Sequence, residues 1–270
     1  MVRKWIEGAS VLVAVLLAGC GNETDPSTDA AQPSPLRVGM ELAYPPFEMR
    51  GPDNEPDGIS VRMAEDLGEF LGRPVEIYDI PFDGIIAALR SGKIDVTISS
   101  MTRTEERARA IAFSDHYVTN GLCMLVAKDS AIESADDLKE DGVRVAVKIG
   151  TTGQQWADRN LPEADKVVLD SAATCVLEVV QGKADAFIYD QISIYRHWKS
   201  HSDVTRPILE PIRQESWAIG LRQEDAKLLE NVNRFLADYR AAGRFDELAE
   251  RYMAEEKAAF EERGVPFIFH

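Results

Sequence analysis

Two stretches of the chain echo one another and limit what it can fold into. Residues 85 to 99 read IIAALRSGKIDVTIS, and residues 175 to 189 read CVLEVVQGKADAFIY. Each runs from a helix-like apolar segment through Gly-Lys-x-Asp into a strand-like run and then a polar loop. Gly92-Lys93-Ile94-Asp95 and Gly182-Lys183-Ala184-Asp185 thus mark comparable places in two similar units. Helix-Gly-strand junctions are common, so two unrelated βαβ units would also produce the echo. On either reading each unit delivers a loop at the carboxyl end of a strand, where open α/β sheets bind their ligands.

The rest of the body follows the same alternation. Leu36 to Met40, Val75 to Ile80, Ile94 to Ile98, Val143 to Val147 and Ala184 to Tyr189 read as strands. Ser60 to Leu71 places Val61, Ala64, Leu67 and Phe70 or Leu71 on one helical face, and Ile85 to Leu89 continues to a stop at Gly92. The pattern predicts an α/β fold with parallel sheets.

Upstream of this body the chain reads as a targeting segment and a tether. Arg3 and Lys4 precede the uncharged stretch Ala9 to Ala18, too short to span a bilayer comfortably, and then comes Leu17-Ala18-Gly19-Cys20. Small residues before a cysteine resemble a bacterial lipobox, which implies a signal peptide over 1–19 and a lipid on Cys20; an ordinary signal with an incidental cysteine fits the same residues. Residues 20–35 are rich in Asn, Asp, Ser, Thr, Pro and Ala, as expected of a flexible tether. Of the remaining cysteines, Cys123 and Cys175 lie in apolar runs and read as buried small hydrophobes, with a single bridge as the alternative. A net charge of −16 repels a phosphate backbone, so nucleic acid is a poor partner. His116, His197, His201 and His270 lack metal-ligand spacing and no Gly-rich phosphate cradle follows a strand, so neither a metal nor another cofactor is indicated.

The loop after the strand at 94–98 carries the chemistry. It reads SSMTRTEER over 99–107, with Thr104 placed to cap a helix whose first turn holds Glu105 and Glu106. Backbone amides at a helix start, threonine hydroxyls and the fork of Arg107 match a carboxylate, although the same spacing suits a solvated arginine. Asp190, at the end of the second strand unit, suits either an acidic site or a helix cap. Tyr44 and Phe82 suit either site walls or core.

The order of motifs narrows these alternatives. ELAYPPFE at 41–48, DG at 57–58, PFDGIIAALRSGKIDVTISSMTRTEER at 81–107, IAFSDHY at 111–117, VAVKIGTTG at 145–153 and ADAFIYD at 184–190 resemble the polar amino acid-binding proteins of ABC importers. The resemblance, over 36 to about 257, implies a two-lobed periplasmic-binding-protein fold of type II with two crossover strands forming a hinge. It puts lobe 1 at 36–118 plus 218–270 and lobe 2 at 119–217, with crossovers near Tyr117 to Leu122 and Arg213 to Trp217. It assigns a ligand α-carboxylate to Arg107, Thr102 and the Ser100 backbone, with Thr152 across the cleft, and the α-ammonium to Asp190. Tyr44 and Phe82 become the aromatic walls. Glu41 and Lys148 fall where glutamine-binding relatives hold a side-chain amide, and they equally suit a salt bridge between the lobes.

The implied function is a lipid-anchored, monomeric receptor in the cell envelope that closes on a polar L-amino acid, glutamine-like, and delivers it to a membrane permease. Ser60 and Ile59 depart from the usual family residues after the glycine. The alternative is a cyclohexadienyl dehydratase-like enzyme, in which the position of Asp190 resembles a glutamate and a lysine is expected where this chain has Thr119-Asn120. Those two departures favour binding over catalysis.

Overall fold

A computed structural model describes residues 33–262, 264 and 267–269. The signal, Cys20 and most of the tether lie outside the described residues. In chain order the elements are β1 (Leu36–Met40), β2 (Met49–Arg50), β3 (Pro56–Asp57), α1 (Ile59–Leu71), β4 (Val75–Asp79), α2 (Ile85–Arg90), β5 (Val96–Thr97), α3 (Glu105–Ala108) and β6 (Ala112–Ala127). There follow β7 (Arg144–Lys148), α4 (Thr152–Asn160), β8 (Asp165–Leu169), α5 (Ala172–Val180), β9 (Ala186–Asp190), α6 (Gln191–Ser200), β10 (Thr205–Leu221), α7 (Ala226–Ala241) and α8 (Arg244–Glu262).

The strands run β4-β1-β5-β10-β6-β9-β7-β8, with β2 and β3 as a separate hairpin. β1 pairs in parallel with β4 and β5, and β7 pairs in parallel with β8 and β9. Between these two expected parallel sets runs an antiparallel ribbon of β6 and β10, which holds the two crossover stretches. The ribbon pairs Arg213 to Trp217 with Val118 to Leu122, so the two stretches expected to cross between lobes lie side by side at its middle. β6 and β10 mix polar and apolar residues along their length, which hid their extent from a search for apolar runs.

The echoed motif has a structural cause. Gly92 and Gly182 end α2 and α5 in left-handed backbone, φ +73 and +68, which glycine adopts without steric cost. The next amide reaches back to the helix, Lys93 to Ala88 O at 3.0 Å and Lys183 to Glu178 O at 2.8 Å. The following strand then enters beside β1 or β7. The expected strand at 94–98 shortens to Val96–Thr97, because the Asp95 and Ile98 amides bond β1 singly on either side of it.

Apolar side chains fill both faces of each parallel set. Val145, Val147, Ala186 and Ile188 pack with Leu122, Met124 and Val126 of the ribbon, and Ile80, Ile85, Leu89 and Ile94 form a layer under β1. Fully burying one such aliphatic side chain contributes about 1.5–3 kcal/mol. Cys123 and Cys175 are buried and free, as the reading of small hydrophobes expects.

Candidate functional site

Every strand that ends at the middle of the molecule sends a polar residue into one space. β1 leads to Glu41 and Tyr44, β5 to Ser99, Ser100 and Thr102, β7 to Lys148 and Thr152, and β9 to Asp190. The space is a cavity of about 40 Å³, lined by eight of the nine ligand residues expected from sequence; Lys148, the ninth, bonds the lining residue Glu41.

Arg107 is 5 % exposed. Its Nη1 donates to Thr102 O at 2.7 Å and its Nη2 to Gly150 O at 2.9 Å, while the guanidinium lies 5.3 Å from the centre of the Phe82 ring. Burial pulls its pKa down to about 10, so the group stays cationic at neutral pH. Thr104 caps α3 as expected, its hydroxyl accepting the Arg107 amide at 3.2 Å. That bond occupies one of the helix-start amides expected to face an anion.

Phe82 lies under two cations, with Lys148 Nζ 5.6 Å from its centre as well. Tyr44 belongs to an aromatic cluster, stacked on Phe47 at 5.6 Å and edge-on to Tyr189 and Trp217. Its hydroxyl is buried beside Asp190, outside hydrogen-bonding geometry. Lys148 forms an ion pair with Glu41, whose other oxygen accepts the Phe82 amide at 3.3 Å. Of the two roles open to this pair, the structure contains the salt bridge, joining the β1 side of the cavity to the β7 side.

Asp190 caps α6, accepting the Ser193 amide at 2.9 Å and Asn120 Nδ2 at 3.3 Å, both on Oδ1. Oδ2 carries neither of these bonds. Burial raises its pKa to about 6 against the opposing effect of those donors.

Two further carboxyls were missed in the sequence. Glu48, the last residue of the ELAYPPFE run, is 1 % exposed and accepts Ser60 Oγ at 2.6 Å and Ser100 Oγ at 3.1 Å. Burial pushes its pKa up to about 8. Its bond to Ser100 helps hold that residue at φ +48, a conformation costing a non-glycine residue about 1–3 kcal/mol. Glu215 accepts the Thr102 and Thr152 hydroxyls and pairs with Arg213. Its signal was present: Arg213, Glu215 and Trp217 alternate along a crossover and share one strand face. No group of His, Cys, Asp and Glu that could hold a metal occurs among the described residues.

A two-winged α/β scaffold joined by a paired ribbon, with cationic and anionic groups converging between the wings, is the architecture of a two-lobed periplasmic-binding-protein fold. Residues 36–255 match the bacterial extracellular solute-binding proteins, family 3, and the chain belongs to that family. It is 31 % identical over 219 residues to the L-cystine-binding protein TcyJ of Escherichia coli K12, covering 80 % of this chain and 82 % of that one. Among solved structures it resembles a mutant of ArgBP from T. maritima, with TM-score 0.75, 35 % identity and coverage of 82 % and 95 %. It equally resembles AncCDT-1, an ancestral amino acid-binding protein and precursor of cyclohexadienyl dehydratase, with TM-score 0.74, 35 % identity and coverage of 81 % and 95 %.

Proposed function

We propose that this protein is the receptor of an ABC amino acid importer that closes around a polar L-amino acid, glutamine-like, and hands it to the membrane permease. It acts as a monomer held in the cell envelope by a lipid on Cys20. Lobe 1 comprises 36–118 and 218–270, and lobe 2 comprises 119–217. Arg107, Thr102, Ser100 and Thr152 take the α-carboxylate, Asp190 the α-ammonium, and Tyr44 and Phe82 flank the side chain. Glu41 and Lys148 part to accept from and donate to a side-chain amide, while a cationic side chain would meet Lys148.

The observation that carries this reading is the convergence of the buried Arg107 and the half-buried Asp190 on one cavity, which Glu41, Glu48 and Glu215 also line. A zwitterion compensates both, and each charge offsets the desolvation of its partner only when hydrogen bonded. Calorimetric titration of ligand-stripped protein with the twenty amino acids tests it: one polar amino acid binds and the others bind far more weakly. A dehydratase is the second reading, favoured by the likeness to AncCDT-1 and by the Asp190 carboxyl near pKa 6. Turnover of prephenate would support it.

A further inference from the structure

The residue after β1, the turn after β5 and the start of α1 meet at one buried carboxyl. Glu48 Oε2 accepts Ser60 Oγ at 2.6 Å and Ser100 Oγ at 3.1 Å, and Oε1 lies 3.5 Å from Ser99 Oγ. Ser99 Oγ in turn accepts the Glu41 amide at 3.1 Å. All of these groups belong to the half built on β1, so the network does not depend on how the two halves meet. Glu41, Glu48, Ser99 and Ser100 also line one wall of the cavity. The turn is the part of that wall with a reason to move, because Ser100 sits at φ +48 and relaxes unless something holds it.

The charge on Glu48 matters to anything bound at that wall. The groups that face it are Glu41 and Lys148, with Tyr44, Tyr117 and Tyr189 around them. Burial keeps the three tyrosine hydroxyls uncharged, and Lys148 is already paired with Glu41, so no free cation stands ready to compensate an ionised Glu48. Burial also outweighs the serine hydroxyls and pushes the Glu48 pKa up to about 8, which leaves the acid mostly neutral at pH 7. An anion seated at Ser100 then has a neutral neighbour, whereas an ionised Glu48 would repel it.

Resting on the amino acid reading above, we propose that Glu48 is a positioning residue of the ligand site: it fixes the Ser99–Ser100 turn to receive the α-carboxylate, and it does so uncharged. Ligand binding is therefore coupled to a proton on a side chain that lies outside the charged grip of Arg107 and Asp190.

The test has an arm without ligand and an arm with it. In the protein alone, the Glu48 carboxyl carbon, assigned by its absence in E48Q, should titrate near pH 8 by carbon NMR. The Ser99 and Ser100 amides should shift with the same midpoint in wild type and stay still in E48Q. A midpoint in the ordinary carboxylate range, or amides that do not follow it, overturns the proposal. The second arm is calorimetric titration with L-glutamine, L-arginine, L-histidine and L-cystine. Whichever binds should lose about tenfold in affinity between pH 7 and pH 9 beyond any loss in E48Q, as when only the protonated form of a group with pKa near 8 binds. At pH 7, E48Q should bind about tenfold tighter than E48A, since the amide keeps the acceptor that the serines use. A wild-type profile that matches E48Q, or affinity that rises with pH, overturns the coupling. If none of the four probes binds while the two amides still follow Glu48, the positioning of the turn stands and the amino acid reading falls.

Discussion

In the half of the sheet built on β1, Asp95 accepts the Arg37 amide at 3.1 Å and Arg37 Nη2 at 2.6 Å; in the half built on β7, Asp185 accepts the Arg144 amide at 2.7 Å and Arg144 Nη2 at 2.7 Å. The backbone answers in kind, Asp95 N to Arg37 O and Asp185 N to Arg144 O, both at 2.8 Å. The echoed Gly-Lys-x-Asp is thus a staple at the start of the first strand in each half. At the opposite ends of the strands the halves diverge: the first delivers Glu41, Ser99, Ser100, Thr102 and Arg107, the second Lys148, Thr152 and Asp190. Each half therefore brings charges of both signs to the cavity, on different side chains. The staples differ as well, since Asp95 also contacts Arg73 and Arg222 and its side chain is 9 % exposed against 32 % for Asp185.

The sharpest way to break this comparison is to remove its charged ends. Arg107→Ala and Asp190→Ala should each weaken amino acid binding by about 100-fold or more in calorimetry, the size of truncating one partner of a buried charge pair. A loss confined to Arg107 would mean that the second half does not read the ammonium.

The staples come next. Asp95→Ala should cost about 3 kcal/mol in urea unfolding, as for a buried pair that leaves cations uncompensated. Asp185→Ala should cost about 1 kcal/mol, as for a partly exposed pair. Equal losses would contradict the difference in burial. Both carboxyls are held below their ordinary pKa, chiefly by the arginine contacts against the cost of burial. Their stabilisation is therefore present above the unfolded pKa and is lost as pH falls through the folded one.

Glu48 has the opposite sign. With a folded pKa near 8, its contribution is fully present below its unfolded pKa and is lost as pH rises toward 8. Glu48→Gln should flatten the fall of melting temperature between pH 5 and pH 8. Asp190, near 6, must be ionised to accept an ammonium, so ligand affinity should decline as pH drops below about 6. The smallest effect is expected at the rim, where the exposed pair of Arg159 and Glu106 meets at 2.9 Å. Arg159→Ala should change affinity by less than about threefold.

Much of this was readable before any coordinates. The echo marked both staples because a left-handed helix end and a strand entry require Gly and a polar residue at fixed offsets. The run through Arg107 marked the cleft because four small hydroxyls before an arginine have little use in a core. Glu48 looks like any solvated acid until long-range pairing buries it, whereas Glu215 carried a signal in its alternation with Arg213 and Trp217. The long ribbon was missed as well. Its polar positions, exposed at Asp115, His116, Glu210 and Gln214 and buried at Asn120 and Glu215, break up the apolar runs that mark the other strands.

The central claim, that Arg107 and Asp190 grip the two charges of one amino acid, is tested most directly by calorimetric titration of ligand-stripped wild type, Arg107→Ala and Asp190→Ala. The account predicts one tightly bound polar amino acid, lost in both variants, with the corresponding decarboxylated amine silent against wild type. Undiminished binding in either variant, or binding of the amine as tight as that of the amino acid, would contradict it.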